Sequence, residues 1–310
     1  MTRDECAFAD LIEQAEQYGP ITMSVAHPCS PESLMGAVES AEHGLITPIL
    51  VAPRARLEKL AESCDIDLSR YRIEDVEHSH AAAERAVELV RNGEAQALMK
   101  GSLHTDEFMS AALDRHKGIR TDRRISHVFI MKVESYPRYL FITDAAINIS
   151  PDLKTKVDIT QNAIDAARML GIDTPKVAIL SAVETVSPNI PSTIDAAALC
   201  KMADRGQIRG AILDGPLAFD NAISHAAADT KGIHSQVAGE PDILIVPDLE
   251  SGNMLAKQLS YLAAAASAGV VMGARVPIVL TSRADTAETR TASCVIAALV
   301  AHANRAKGSL

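Results

Sequence analysis

The chain has 310 residues, 47% hydrophobic and 23% charged, which is enough length and apolar material for two ordinary globular domains. Its formal net charge of -10 excludes the basic footprint of a non-specific nucleic-acid binder, while local arginines can still hold an anionic small ligand. With 3% aromatic residues and no Trp, the core falls to Ala, Val, Ile and Leu, which favours helices packed on strands over an aromatic-rich sandwich. The opening segment MTRDECAFADLIEQ lacks the apolar run of a secretory signal. Short β-branched runs and helical periodicities then alternate. Strands are predicted at Ile21–Ala26, Ile46–Val51, Ala97–Lys100, Ser126–Lys132, Arg138–Asp144, Lys176–Ser181, Gly210–Asp214, Asp242–Pro247 and Val276–Thr281. Helical spacing is predicted over Pro31–His43, His80–Asn92, Lys154–Leu170, Thr193–Ala203 and Gly252–Ala266, with Gly171 suited to the C′ position of the third.

Alternating strands and helices imply βαβ units and mainly parallel sheets. Ala178-Ile179-Leu180, Ala211-Ile212-Leu213 and Ile243-Leu244-Ile245-Val246 are continuous apolar runs, as expected of parallel strands buried on both faces. Two α/β domains are expected. The seam is expected after Asp144, where Pro151 precedes a new helix. The apolar stretch near Tyr261–Leu280 is broken by Gly269, Gly273, Arg275 and Pro277, so no membrane span is expected. The five cysteines are scattered with no C-x-x-C, as in a cytoplasmic protein with reduced thiols.

In open α/β sheets ligands bind beyond the carboxyl ends of strands. Five such corners stand out: LMKGSLHTDE, FITDAAINISPD, ILDGPLAFDNA, IVPDLESGN and VLTSRADTAE. The last is the sharpest. Asp285 and Glu288 have the spacing of a capping box for the helix that follows. Ser282 and Arg283 then lie just ahead of a helix N-terminus, where free N–H groups and a bidentate guanidinium suit phosphate. His78 and His80 lack a third ligand nearby, so they read as a solvated helix start and no metal site is expected. Lys100-Gly101-Ser102 bears only a superficial likeness to a P-loop, and no G-x-G-x-x-G or G-x-S-x-G is present.

The strings LMKGSLHTDEFMSAAL, RRISHVFIM, FITDAAINISPDLKTKVDITQNA, KVAILSAVETVSPNIPSTIDAAAL, DGPLAFDNAIS, AGEPDILIVPDLESGNMLAKQL and PIVLTSRADTAETR occur in that order. Together they resemble the phosphate acetyl/butyryltransferase family over essentially the whole chain. The resemblance implies a two-domain fold like that of isocitrate and isopropylmalate dehydrogenases, in which the second domain, residues 146–271, is inserted into the first, residues 1–145 with 272–310, with the site in the interdomain cleft. It implies reversible transfer of a short acyl group from CoA to inorganic phosphate through a direct ternary complex, acetyl first, butyryl or propionyl as alternatives. A homodimer is implied too, with no metal or permanently bound cofactor, and with acetate or butyrate kinase as pathway partner. Two rivals are a decarboxylating dehydrogenase of the same fold and a non-catalytic module that senses acyl-CoA.

The family's serine–arginine pair maps onto Ser282, which would orient the thiol or carbonyl, and Arg283, which would bind the phosphoryl group. The aspartate that the acetyltransferase branch carries seven residues beyond that serine is replaced here by Thr289. Asp285 and Glu288 are the acids near enough to serve as base, and either serves equally well as a helix cap. Substrate-binding candidates are Lys100, Ser102, His104, Thr105, Asp144, Asn148, Gly215, Pro216, Asp220, Gly252 and Asn253. Gly252 and Asn253 are expected to begin a helix and offer N–H groups to phosphate. Arg120, Arg123 and Arg124, in LDRHKGIRTDRR, are candidates for the phosphates of CoA.

Overall fold

The computed structural model describes residues 7–281, 285–306 and 308. The chain divides into two compact units, Met1–Arg123 with Ala268–Leu310, and Arg124–Ser267.

Unit 1 opens with α1 (Ala9–Tyr18) and β1 (Ile21–Ala26), and β1 has the predicted limits. Ile21, Met23, Val25 and Ala26 are completely buried, and so is Ser24 between them, so both faces of this central strand are covered although its sequence alternates apolar residues with Thr22 and Ser24. α2 (Pro31–Glu42) starts where Ser30 and Ser33 form a reciprocal cap and Pro31 supplies the first helical φ. β2 (Ile46–Ala52), α3 (Arg54–Ser63), β3 (Arg72–Asp75), α4 (Ser79–Arg91), β4 (Ala97–Lys100) and α5 (Thr105–Ala112) follow. The last part of the chain returns to unit 1 with β10 (Ala266–Met272), β11 (Ile278–Val279) and α11 (Ala287–Ala306). Strand order here is β3-β2-β1-β4-β11-β10. All pairs are parallel except β10 with β11, where Val271 faces Ile278. α11 buries Ala292 and the run from Cys294 to Ala301, so the final helix forms part of the core of this unit.

Unit 2 contains β5 (Ser126–Lys132), β6 (Tyr139–Thr143), α6 (Leu153–Met169), β7 (Lys176–Leu180), α7 (Pro191–Asp204), β8 (Ile212–Leu217), α8 (Phe219–Ile223), α9 (His225–Thr230), β9 (Ile243–Ile245) and α10 (Leu249–Leu262). Strand order is β5-β6-β9-β7-β8, parallel except for β5 against β6. Asp144, after which the seam was expected, falls inside this unit. The reason is that β6 pairs with β9, with Phe141 opposite Ile243. Met131, Ile142, Ala178, Leu217, Leu244 and Val246 share one buried core.

Several predicted elements differ in extent. The helix expected to continue to Ala266 stops at Leu262, and Ala266–Met272 forms β10, whose Ala268, Val270 and Val271 are almost completely buried. The strand expected at Gly210–Asp214 runs instead through Ile212–Leu217, so Gly215 and Pro216 lie within β8 rather than after it. Gly215 is there because a Cβ would sit 2.7 Å from Ile179 Cβ and 2.8 Å from its carbonyl oxygen. The strand expected over Val276–Thr281 is the two-residue β11. Gly171 follows α6 with φ 96°, the left-handed turn predicted for it.

Candidate functional site

The carboxyl ends of β1, β4 and β11 are neighbours in unit 1, and a network of buried polar groups lies there. Lys100, the last residue of β4, is 4% exposed, and its ammonium donates to the carbonyl oxygens of Gly101 and Thr281, both at 3.3 Å. Thr281 Oγ1 donates back to the Lys100 carbonyl at 3.2 Å and accepts from Arg290 Nη1 at 2.7 Å. Arg290 is 3% exposed, and its Nε–H donates to the Asp285 carbonyl at 3.4 Å. Burial holds its pKa below the usual guanidinium value, opposed by the Asp285 and Glu32 carboxylates. Gly36 of α2 makes room for its stem, since a Cβ there would lie 2.8 Å from Arg290 Cδ. Two buried cations therefore grip Thr281, and positive charge in such surroundings attracts anions more strongly than it would in water.

Ser282 and Arg283 follow Thr281 directly and lie outside the described residues. The cap of α11 is not the predicted one. Thr286 Oγ1 accepts the Thr289 N–H at 3.2 Å, placing Thr286 at the N-cap and Thr289 at N3. Asp285 and Glu288 are therefore one residue out of phase with the capping box expected for them.

Ser102 is fastened to the residues after β1. Its hydroxyl donates to the His27 carbonyl at 3.0 Å, stands 3.1 Å from His27 Nδ1 and accepts the Cys29 N–H at 3.3 Å. His27 takes φ 53°, and burial, aided by the Arg56 charge, keeps its imidazole pKa below the ordinary value. Gly101 permits this crossing, because a Cβ would come within 2.5 Å of the Ala26 and His27 carbonyl oxygens. His104 and Thr105 stand exposed at the start of α5. His78 caps α4 by accepting the Ala81 N–H at 3.2 Å, while His80 Nδ1 lies 2.8 Å from Glu107. Among the described residues no group of three or more His, Cys, Asp and Glu could hold a metal ion.

Four candidates meet in one corner of unit 2. The buried Asp144 carboxylate accepts from the N–H groups of Ala146 and Ile147 through Oδ1, and from the Asn148 N–H and side-chain amide through Oδ2. It thus organises its own loop. The Asn148 amide also donates to the Ile125 carbonyl at 2.9 Å. Asp248 forms the cap of α10 with Ser251, so Gly252 and Asn253 lie past the helix start, contrary to expectation. The Gly252 N–H already donates to the Asp248 carbonyl, and the Asn253 amide donates to the Ala145 carbonyl at 3.1 Å. Nearby, His127 is 2% exposed with no hydrogen bond to Nδ1, and burial pushes its pKa down to about 4 against the pull of Asp144.

Asp220 lies apart, paired with Lys231 at 3.1 Å, which lowers its carboxyl pKa. Of the arginine candidates, Arg120 lines a pocket with Arg115, Thr121, Asp122 and Arg275. Arg123 and Arg124 are not among its lining; their N–H groups donate to Thr121 Oγ1 and Asp158 Oδ2.

Residues 80–298 match the family model described as phosphate acetyl/butaryl transferase. The chain belongs to this family. It is 61% identical over 296 residues to a phosphate acetyltransferase of Rhizobium meliloti, covering 96% of this chain and 94% of the relative. It is 40% identical to a phosphate butyryltransferase of Clostridium beijerinckii, covering 96% and 99%. Among solved structures, a branched-chain phosphotransacylase from Enterococcus faecalis superposes with a TM-score of 0.81 at 30% identity, covering 91% and 99%. Within this family the network around Thr281 gains a meaning, because it fixes the backbone immediately before the two residues that the sequence resemblance places at the reacting centre.

Proposed function

We propose that this protein is a phosphate acyltransferase that moves a short acyl group reversibly between coenzyme A and inorganic phosphate. The observation that carries this reading is the 61% identity that spans 96% of the chain and 94% of a phosphate acetyltransferase. Acetyl is the favoured group because identity to the named butyryltransferase is lower, at 40%. One methylene in an apolar pocket discriminates by only about 1–3 kcal/mol, so propionyl and butyryl are accepted less well rather than refused.

In the forward reaction a phosphate oxygen attacks the thioester carbonyl. Negative charge moves to the carbonyl oxygen and then to the departing sulfur, which leaves as thiolate. Arg283 binds the phosphoryl group and Ser282 orients the sulfur or carbonyl. Lys100 and Arg290 set the Thr281 backbone that leads into them and add positive potential where the charge develops. In the reverse direction a base helps to form the thiolate, since a free thiol is mostly protonated near neutral pH. Because Thr286 caps α11, neither the Asp285 nor the Glu288 side chain is needed as its N-cap. Asp285, nearer in sequence to the pair, is the first choice of base.

The same reading includes an arrangement of the two units like that of isocitrate and isopropylmalate dehydrogenases, a homodimer in the cytoplasm, and an acetate or butyrate kinase that uses the acyl phosphate. No helix among the described residues is long and apolar enough to cross a membrane.

The deciding experiment is CoA release from acetyl-, propionyl- and butyryl-CoA with and without phosphate, for wild type and Arg283→Ala. Release that requires phosphate, is fastest with acetyl-CoA and collapses in the variant is expected. Folded wild-type protein that binds acyl-CoA yet releases no thiol with any chain would instead make it a sensing module.

A further inference from the structure

His27 is held from several sides at the corner where β1, β4 and β11 end. Its φ of 53° is a left-handed backbone that a non-glycine residue keeps only where its surroundings enforce it. Here its carbonyl accepts three times: from the N–H groups of Cys29 at 2.8 Å and Ser102 at 2.9 Å, and from the Ser102 hydroxyl at 3.0 Å. The side chain is 5% exposed, and its Nδ1 stands 3.1 Å from that same hydroxyl.

The contact with Ser102 sets the tautomer of the ring. A hydroxyl has one hydrogen to give, and a carbonyl oxygen can only accept. With that hydrogen on the His27 carbonyl, Ser102 Oγ accepts the Cys29 N–H at 3.3 Å and the Nδ1–H of the ring. A neutral imidazole protonated on Nδ1 carries a bare lone pair on Nε2. Among the described residues Nε2 has no hydrogen-bond partner. Burial and the Arg56 charge of α3 disfavour the imidazolium, against the pull of Glu107 on α5, and the balance lowers the pKa. The ring is therefore a neutral acceptor at neutral pH.

The phosphate acyltransferase reading, on which this step rests, brings inorganic phosphate to the same corner. Ala26 opposes Lys100 across β1 and β4, and Val279 opposes Met99 across β4 and β11. His27, Gly101 and Thr281 therefore each come one step past the row of Lys100, and His27 and Thr281 stand two strand spacings apart, about 10 Å. A tetrahedral anion with a hydrogen bond of about 2.8 Å on either side spans a gap of that order. The charged groups that grip Thr281, Lys100 and Arg290, are donors. Donors alone do not tell phosphate from sulfate, since the two anions match in shape and charge. A lone pair does. Inorganic phosphate keeps at least one proton at neutral pH and can donate it to Nε2. Sulfate has none, and would set an oxygen lone pair against the nitrogen. We infer that His27 is a specificity-determining residue, which selects protonated phosphate over sulfate by accepting the phosphate hydroxyl at Nε2.

The test compares wild type with His27→Asn, because asparagine tolerates a left-handed φ but is too short to place an acceptor where Nε2 stands. KM for phosphate and competitive inhibition by sulfate are measured at saturating acetyl-CoA, beside a melting curve. In wild type Ki for sulfate is expected about tenfold or more above KM for phosphate. In His27→Asn that ratio should fall to near one, with KM for acetyl-CoA unchanged. Ser102→Ala removes the acceptor that fixes Nδ1–H; it should lower the ratio in the same direction by a smaller factor, and it carries the test if His27→Asn does not fold. The inference is overturned by a ratio unchanged in the variants, by equal weakening of phosphate and sulfate (the mark of a merely structural role), or by a wild type that does not discriminate. If wild type turns nothing over, the acyltransferase reading fails, and calorimetric titration of the same proteins with phosphate and with sulfate decides whether His27 discriminates.

Discussion

A buried arginine that touches no substrate can still control a reaction if it fixes the backbone from which the reacting residues spring. The proposed mechanism gives Arg290 this part, since its Nη1 holds Thr281 Oγ1 at 2.7 Å and its stem fills the space left by Gly36. Arg290→Ala removes a charged hydrogen bond and is expected to cost about 2–3 kcal/mol of stability. It should also lower kcat more than KM for acyl-CoA, and Arg290→Lys should recover part of that loss. Steady-state kinetics beside a melting curve separates these effects, and an unchanged kcat in a destabilised protein would reduce Arg290 to packing. His127 makes a different prediction at this scale. Its folded pKa of about 4 lies below the unfolded value, so between these two values the unfolded chain holds more protons and stability falls as pH is lowered. Taking about 6.5 for the unfolded imidazole, the loss from pH 7 to pH 5 is about 2 kcal/mol. Urea midpoints at the two pH values, compared with those of His127→Phe, measure it; equal pH dependence in both proteins would exclude His127 as the source.

At the scale of elements, helix starts decide which acids are committed to structure. Thr286→Ala should cost about 1 kcal/mol through loss of the α11 cap, whereas Glu288→Gln should change stability by less than about 0.5 kcal/mol. The reverse order in thermal denaturation would restore the predicted capping box. Gly252→Ala makes the opposite kind of test. Alanine gains about 1 kcal/mol of helix propensity over glycine, but the new Cβ would lie 2.7 Å from Val246 Cγ2 and 3.1 Å from Ala145 Cβ. Overpacking of that kind costs about 1–3 kcal/mol, so a lower melting temperature is expected, and a higher one would show that the corner can yield. These elements also show what sequence reading reaches. β1, β4 and β5 were legible to the residue because they are short runs rich in apolar and β-branched residues. β3 was not, because Arg72-Ile73-Glu74-Asp75 is a polar edge strand paired only with β2. β10 was hidden behind the alanine-rich end of α10, where composition favours a helix and only burial and pairing decide otherwise. At the candidate site, Lys100 and Ser102 were visible as polar residues at a strand end. His27 and Arg290 were not. Arg290 sits in a helical pattern that looks like a surface, and its partners, Thr281 and Gly36, become its neighbours only through tertiary contacts.

For the whole molecule, the informative feature is that unit 1 draws on both ends of the chain whereas unit 2 is one continuous segment, Arg124–Ser267. Unit 2 has its own buried core, in which Met131, Ile142, Leu180, Leu217 and Leu244 come together within that segment. Unit 1 lacks such independence, because α11 contributes Val295, Ile296, Leu299 and Val300, all nearly completely buried, to a core whose strands lie mostly some 200 residues earlier. A chain cut before α11 still contains Ser282, Arg283 and Asp285 but loses that whole buried face. Exposing so many Val, Ile and Leu side chains removes about 1.5–3 kcal/mol for each, more than the margin of an ordinary domain. The truncated protein is therefore expected to have no acyl transfer. Limited proteolysis should digest Met1–Arg123 while fragments from Arg124–Ser267 stay protected. Mass mapping of the fragments reads this directly. Equal protection of both units after the cut would mean that unit 1 folds without its last helix; digestion of both would mean that unit 2 depends on unit 1 for its stability.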